Sequence, residues 1–190
     1  MMVHLETERL VLRRFTPGDT DLLVELDSDP EVMRWLTGGR ATPREEVEGT
    51  VLPVYFSSYR RFPAFGHWAA LERTSGEFLG WFEFRPPEPD RPREVELGYR
   101  LRRPAWGRGY ATEGSRALIR RGFTELGVER VFAQTMTVNH RSRRVMEKSG
   151  LRYVRTFFAD WPEAIEGSEH GEVEYVLERA EWQELQRAAR

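Results

Sequence analysis

Residues 94–114 read EVELGYRLRRPAWGRGYATEG, and the change of period inside this stretch decides the fold. From Glu94 to Leu101 the pattern alternates. Val95, Leu97, Tyr99 and Leu101 make an apolar face, while Glu94, Glu96, Gly98 and Arg100 make the other, as on a strand. From Tyr110 the spacing turns helical: Ala111, Ser115, Leu118, Gly122 and Leu126 recur three or four residues apart, and Gly127 is placed to end the helix. Between the two sit Gly107 and Gly109. A strand–glycine–helix junction offers unpaired N–H groups at the positive end of a helix dipole, and glycine lets an anion approach without a Cβ in the way. Arg108 adds a charged donor. A plain strand-to-helix turn reads the same way, so the glycines alone leave both readings open.

Outward from this junction, the chain divides into early hairpins and later β-α-β-α-β units. ERLVLRRF (8–15) reads as an opening strand, and Asp19 or Thr20 as the cap of a helix through DLLVEL. DPEVMRWL (29–36) reads as a short helix started by Asp29 and Pro30, and PREEVEGTVLPVYFSSYRRF as a longer one interrupted at Pro53. HWAALER and EFLGWFEFR form a hairpin about Ser75-Gly76, followed by the proline-rich loop PPEPDRP (86–92). VERVFAQTM is a strand, and NHRSRRVMEKSG a helix that runs from Asn139 to Gly150. LRYVRTFFAD and EVEYVLER are strands around a Pro/Glu/Gly-rich loop, and AEWQELQRAAR is a final helix. The expected architecture is an α/β (α+β) single domain over residues 1–190, with a mixed sheet flanked by helices.

Composition removes several function classes. With 190 residues and a net charge of −2, the chain can bury a real core but offers no field for nucleic acid. No apolar run reaches the roughly 18 residues of a membrane span, and MMVHLETERL lacks the features of an export signal, so the expected location is the cytoplasm. Zero cysteines exclude disulfides, thiol nucleophiles and cysteine-ligated zinc. His4, His67, His140 and His170 are scattered, so no metal site is expected.

The candidate anions for the glycine junction are a nucleotide, a dinucleotide and coenzyme A. A dinucleotide fingerprint needs G-x-G-x-x-G, and the next glycine after Gly109 is Gly114, too far along. No G-x-x-x-x-G-K-[ST] string exists for a nucleotide P-loop. The string LRRPAWGRGYATEG resembles the acetyl-CoA loop of the GNAT N-acetyltransferases, in the branch related to the ribosomal-protein N-terminal (Rim-type) acetyltransferases. TERLVLRRF near the start, NHRSRRVMEKSGLRYV and YVLERAEW agree in the family's order, so the resemblance spans nearly the whole chain. One departure is Pro104, where the superfamily often has Gln or Arg; proline has no N–H to donate.

The resemblance implies a mostly antiparallel mixed sheet with acetyl-CoA as cosubstrate. Its pyrophosphate would lie on the N–H groups of Trp106, Gly107, Arg108, Gly109, Tyr110 and Ala111. Its pantetheine arm would pair with the strand ending at Leu101, and Asn139 would contact that arm. It further implies an amine acceptor, acetyl transfer without a covalent enzyme intermediate, and a monomer or homodimer. Such transfer needs a neutral amine and a protonated leaving thiolate. An α-amine of pKa near 8 is roughly 10% neutral at pH 7, whereas a lysine amine near 10.4 is far less so. Glu96, on the polar face of a strand expected at the sheet centre, is the leading general base, with Glu94 about 7 Å away as substitute. Pairing of either with surface arginines is the alternative reading. Glu113 fits a structural place near the helix start.

Ser142, three residues after Asn139, matches the serine that the Rim-type resemblance assigns to thiolate protonation. Many GNAT enzymes use a tyrosine seven residues after that asparagine, but here the position holds Met146. His140 and the basic cluster Arg141, Arg143 and Arg144 read as a solvated helix start, contact of the cluster with the CoA 3′-phosphate being the alternative reading. Trp35, Tyr55, Phe56, Tyr59, Trp68 and Trp81 read mostly as core; the resemblance implies that one or two of those between 35 and 60 line the acceptor cleft. The competing reading of the whole is a non-catalytic acyl-CoA-binding sensor or scaffold. A nucleotide-binding regulator fails on the spacings above.

Overall fold

The alternating stretches pair into one eight-stranded sheet with strand order β1-β2-β3-β4-β5-β6-β8-β7. The computed structural model describes residues 3–88, 91, 93–159 and 163–188, so the first two residues, part of the 86–92 loop, residues 160–162 and the last two residues lie outside the described residues. The strands are β1 (Val3–Glu6), β2 (Leu10–Arg14), β3 (Gly66–Glu72), β4 (Phe78–Arg85), β5 (Glu94–Leu101), β6 (Arg130–Met136), β7 (Arg152–Phe157) and β8 (Glu172–Glu178). Every pair is antiparallel except β5 with β6. This is the mixed, mostly antiparallel sheet expected. The chain places β8 between β6 and β7, so the last two strands close as an antiparallel pair at the edge.

The opening differs from its reading in two ways. A separate strand, β1, precedes β2. Asp19 precedes helix α1 (Thr20–Asp27) but makes no side-chain cap; its carboxylate instead takes two bonds of 2.7 Å from Arg13. Helix α2 (Pro30–Thr37) starts as read, with the Asp29 carboxylate accepting from the Glu31 N–H at 3.0 Å. The long helical stretch runs as α3 (Arg44–Glu46), a π turn (Val47–Val51) and α4 (Leu52–Arg61). Pro53 falls in the first turn of α4, where its missing N–H costs little.

Helices α5 (Tyr110–Glu125), α6 (His140–Lys148) and α7 (Arg179–Ala188) follow the last strands. The apolar face of β3, β4 and β5 carries Trp68, Phe82, Phe84, Val95 and Leu97, all nearly or fully buried. Helix α5 approaches it closely because Gly114 and Gly122 have no side chains: a Cβ would lie 2.3 Å from Phe82 and 2.7 Å from Phe84. Filling such a contact costs about 1–3 kcal/mol, so these glycines set how near the helix start sits to the central strands.

Candidate active site

β5 pairs with β4 from Arg85↔Glu96 to Gly80↔Leu101, but with β6 only at Glu94↔Arg130, Val95↔Val131 and Glu96↔Phe132. β6 continues to Met136 on its other side, paired to β8. A gap therefore opens between β5 and β6 immediately past Glu96. Successive strand residues turn their N–H and C=O to alternate edges, and the Arg102 N–H reaches the Leu79 carbonyl beside β4 at 2.9 Å. Tyr99 and Leu101 accordingly present their backbone groups to the gap. The Trp106 indole N–H takes the Leu101 carbonyl at 2.7 Å and folds the following loop back over the strand end.

That loop brings the α5 N-terminus to the mouth of the gap. Gly107 and Gly109 have φ of 71° and 85°, a left-handed conformation that costs other residues about 1–2 kcal/mol. The first bond into the helix runs from the Glu113 N–H to the Gly109 carbonyl at 3.0 Å. The N–H groups just before this bond lie at the head of a 16-residue helix, a geometry suited to cradling an anion. Nothing lies within 4 Å of where a Gly107 Cβ would be, so the space before it is open. Arg108 has no carboxylate partner there and lies over the Tyr110 ring at 5.2 Å. Pro104 sits in a 3-10 turn (Arg103–Ala105) outside the cradle.

Glu113 is structural, as read. It accepts from the Thr7 hydroxyl at 2.6 Å, the Arg9 N–H at 2.9 Å and Arg9 Nε at 2.7 Å. Partial burial opposes its ionisation, but these donors hold its carboxyl below the usual range. Arg9 also donates to the Arg108 carbonyl at 2.9 Å and lies over Tyr110 at 4.6 Å. The turn between β1 and β2 thus clamps the loop, a role nothing in the spacing of Arg9 announces.

Two chemically distinct faces meet at the gap. On one, the Tyr99 hydroxyl donates to the Ser142 carbonyl at 2.9 Å and lies 3.1 Å from the Ser142 hydroxyl. Burial pushes the Tyr99 phenol well above its ordinary value. Asn139 caps α6, its Oδ1 accepting from the Ser142 N–H at 3.2 Å while its Nδ2 donates to Thr135 at 3.0 Å. Met146 is buried in the core. The hydroxyl nearest Ser142 comes instead from Tyr99, which alternation alone placed among apolar residues; the signal was that a buried tyrosine oxygen seeks a partner.

On the other face, Glu96 is joined by Glu83, Arg85 and His67. Arg85 Nε lies 2.5 Å from Glu83 Oε1, and Arg85 Nη2 lies 3.9 Å from Glu96 Oε2. His67 Nε2 lies 3.6 Å from Glu83 Oε2, with its ring stacked on Tyr55 at 3.9 Å and against the edge of Trp81. Burial, reinforced by Glu83 and Glu172 and opposed by Arg85, pushes the Glu96 carboxyl up to about 7. Glu94 lies where β5 and β6 are still paired, outside the gap and 3.3 Å from Arg130. Glu83 went unread, although a charge inside the apolar run FLGWFEFR is itself a signal.

The remaining candidates scatter. His140 is exposed. Arg141 lies over Trp106 at 5.1 Å, Arg143 bonds the Thr137 carbonyl and the Tyr175 hydroxyl, and Arg144 pairs with Glu147. Tyr55, Tyr59, Trp68 and Trp81 are buried, while Phe56 is partly so. Trp35 is half-buried and, with Met136 and Val138, packs about Gly167. Arg34–Glu166 and Arg40–Glu163 ion pairs tie the α2 end to this late segment.

Comparison with known proteins agrees with this geometry. Residues 9–152 match the family described as acetyltransferase (GNAT) domain. The chain is 37% identical over 190 residues to the FsC-acetyl coenzyme A-N(2)-transacetylase of Aspergillus fumigatus, covering 96% of this chain and 79% of the relative. Its fold is similar to that of spermidine N-acetyltransferase from Vibrio cholerae in complex with CoA and spermine, at TM-score 0.76 and 15% identity over 93% and 99% of the two chains. It is also similar to the ribosomal L7/L12 α-N-protein acetyltransferase RimL in complex with CoA, at TM-score 0.76 and 17% identity over 93% and 97%. An open strand edge leading to an anion cradle, together with a family match over most of its length, makes this chain a member of the GNAT family and an acetyl-CoA-dependent N-acetyltransferase.

Proposed function

We propose that this enzyme, a Rim-type GNAT acting as one domain over residues 1–190 in the cytoplasm, acetylates a primary amine by direct transfer through the gap between β5 and β6. The pyrophosphate of acetyl-CoA rests on the N–H groups of Trp106 to Ala111, where Gly107 and Gly109 allow close approach and Arg108 supplies charge. The pantetheine arm lies along the open edge at Tyr99 and Leu101 as an added strand. Asn139 fixes the α6 start beside that arm, and Nδ2 retains one hydrogen for it.

The acceptor enters on the face of Glu96. Its nitrogen attacks the thioester carbonyl carbon, Glu96 takes the nitrogen's proton, and a gap-facing backbone N–H bonds the developing oxyanion. The C–S bond then breaks. The thiolate leaves on the opposite face and takes a proton from the Ser142 and Tyr99 hydroxyl pair, which water resupplies. A base at about 7 suits an α-amine, whose pKa lies near 8, better than a lysine. The N(2) position in the name of the Aspergillus relative supports an α-type amine, either on a small molecule or at a protein N-terminus.

The observation that carries this reading is the end of β5–β6 pairing at Glu96, with a carboxyl on one side and hydroxyls on the other. The test is CoA release, followed with a thiol-reactive dye, against α-amino amides, N-terminal peptides, polyamines and free amino acids. Release with α-amines supports it. CoA binding without release across the panel assigns the chain to acyl-CoA sensing instead.

A further inference from the structure

Glu96 stands directly opposite Arg85, on the neighbouring antiparallel strand, where an ordinary cross-strand ion pair forms. That pair is loose, at 3.9 Å, whereas the guanidinium lies in an ion-pair contact of 2.5 Å with Glu83. Three neighbours keep Glu83 in place. His67 faces it from β3, Arg85 follows it on β4, and Gly98 faces it from β5. A Cβ at Gly98 would lie 3.0 Å from Glu83 Oε2 and 3.2 Å from its Cβ, so the missing side chain there is the room Glu83 occupies.

We propose that Glu83 is a positioning residue for acetyl transfer: by holding the Arg85 guanidinium it leaves Glu96 without a close counter-ion and so keeps it a base. This rests on Glu96 being the base. Two carboxylates share one cation, and the nearer one has it. The other charged groups around Glu96 do not compensate. Glu172 of β8 adds a third carboxyl, itself raised by burial. Glu94 of β5 is met by Arg130 of β6, which also serves Glu174 and Glu178. Arg100 of β5 is taken by Asp27 of α1 at 2.6 Å, while α4 contributes Tyr55, stacked on His67, and Tyr59, whose hydroxyl donates to the His67 carbonyl. Burial opposes ionisation of Glu83, yet His67 and Arg85 hold its carboxyl below the ordinary range, the opposite direction from Glu96.

The test is the pH dependence of kcat, measured with a weakly basic acceptor that is neutral over the whole range so that only the enzyme titrates. In Glu83→Gln, Arg85 is released to Glu96. The acid limb moves to lower pH by about 1–2 units, the plateau kcat falls severalfold as the base weakens, and the acetyl-CoA Kd stays within about twofold. Glu83→Asp restores the limb. Arg85→Met shifts it the other way, to higher pH, and reports independently if Glu83→Gln is poorly folded. A limb unmoved in both Glu83→Gln and Arg85→Met, but lost in Glu96→Gln, overturns the role of Glu83 and leaves the base in place. A limb that survives in Glu96→Gln overturns the base assignment itself.

Discussion

Glu96 and Tyr99 stand three residues apart on β5 and point to opposite faces of the sheet, the carboxyl toward Arg85 and Glu83 and the hydroxyl onto Ser142. An odd separation on a strand guarantees this divergence. The gap that opens past Glu96 is what connects the two faces. In the proposed transfer, proton removal from the amine and proton delivery to the thiolate therefore fall on opposite faces of the sheet.

The hydroxyl side of this arrangement is testable by truncation. Tyr99→Phe and Ser142→Ala each lower kcat, by about 100-fold or more for the residue that hands over the proton, with little change in acetyl-CoA Kd. Because the two oxygens are 3.1 Å apart, the double variant is far less damaging than the product of the singles. Unchanged kcat in both singles removes them from the mechanism.

The cradle is tested at its glycines. Gly107→Val places a side chain in open space at φ 71°, and Gly109→Val places one 3.3 Å from Arg9 at φ 85°. Backbone strain of about 1–2 kcal/mol lowers Tm by a few degrees while the sheet remains. Acetyl-CoA Kd by calorimetry rises about tenfold or more, a loss of about 1.4 kcal/mol. Unaltered Kd in both variants contradicts the assignment of the pyrophosphate to this loop.

Much of this was legible because it is local. The loop at 102–114 carries its reading in residue types: glycines where φ is positive, then a helical period. The α2 cap at Asp29 and the α6 cap at Asn139 were legible for the same reason. The gap was not, since it is a property of register between strands 36 residues apart, Glu94 and Arg130, and no residue marks where pairing stops. β1 escaped because its four residues carry no strongly buried face. Asp19 or Thr20 was read as a cap, but Arg13 takes the Asp19 carboxylate and Thr20 is already the first helical residue. Glu83 and Tyr99 needed a different question, namely what a buried polar atom in an apolar run is for.

His4 gives a stability prediction separate from catalysis. Its ring stacks on Trp68 at 3.5 Å, and burial, aided by Arg121 and Arg14, lowers its pKa from 6.5 to about 3. The folded chain therefore binds fewer protons than the unfolded one below pH 6.5. This contribution is complete above pH 6.5 and fades as pH falls toward 3. By pH 5 about 1–2 kcal/mol is lost. Urea midpoints should fall between pH 6.5 and 5 in the wild type and much less in His4→Phe; equal slopes refute the assignment.

The most direct test of the central claim is the rate of CoA release by wild type and Glu96→Gln at saturating acetyl-CoA, with an acceptor neutral throughout, across pH 5.5 to 9. A carboxyl at about 7 must lose its proton to act, so the wild-type rate falls about tenfold per unit below that value. In Glu96→Gln the plateau drops about 10²-fold or more and the limb near pH 7 disappears, while acetyl-CoA binding is retained. Equal rates with an unchanged limb would contradict transfer by Glu96 across the gap.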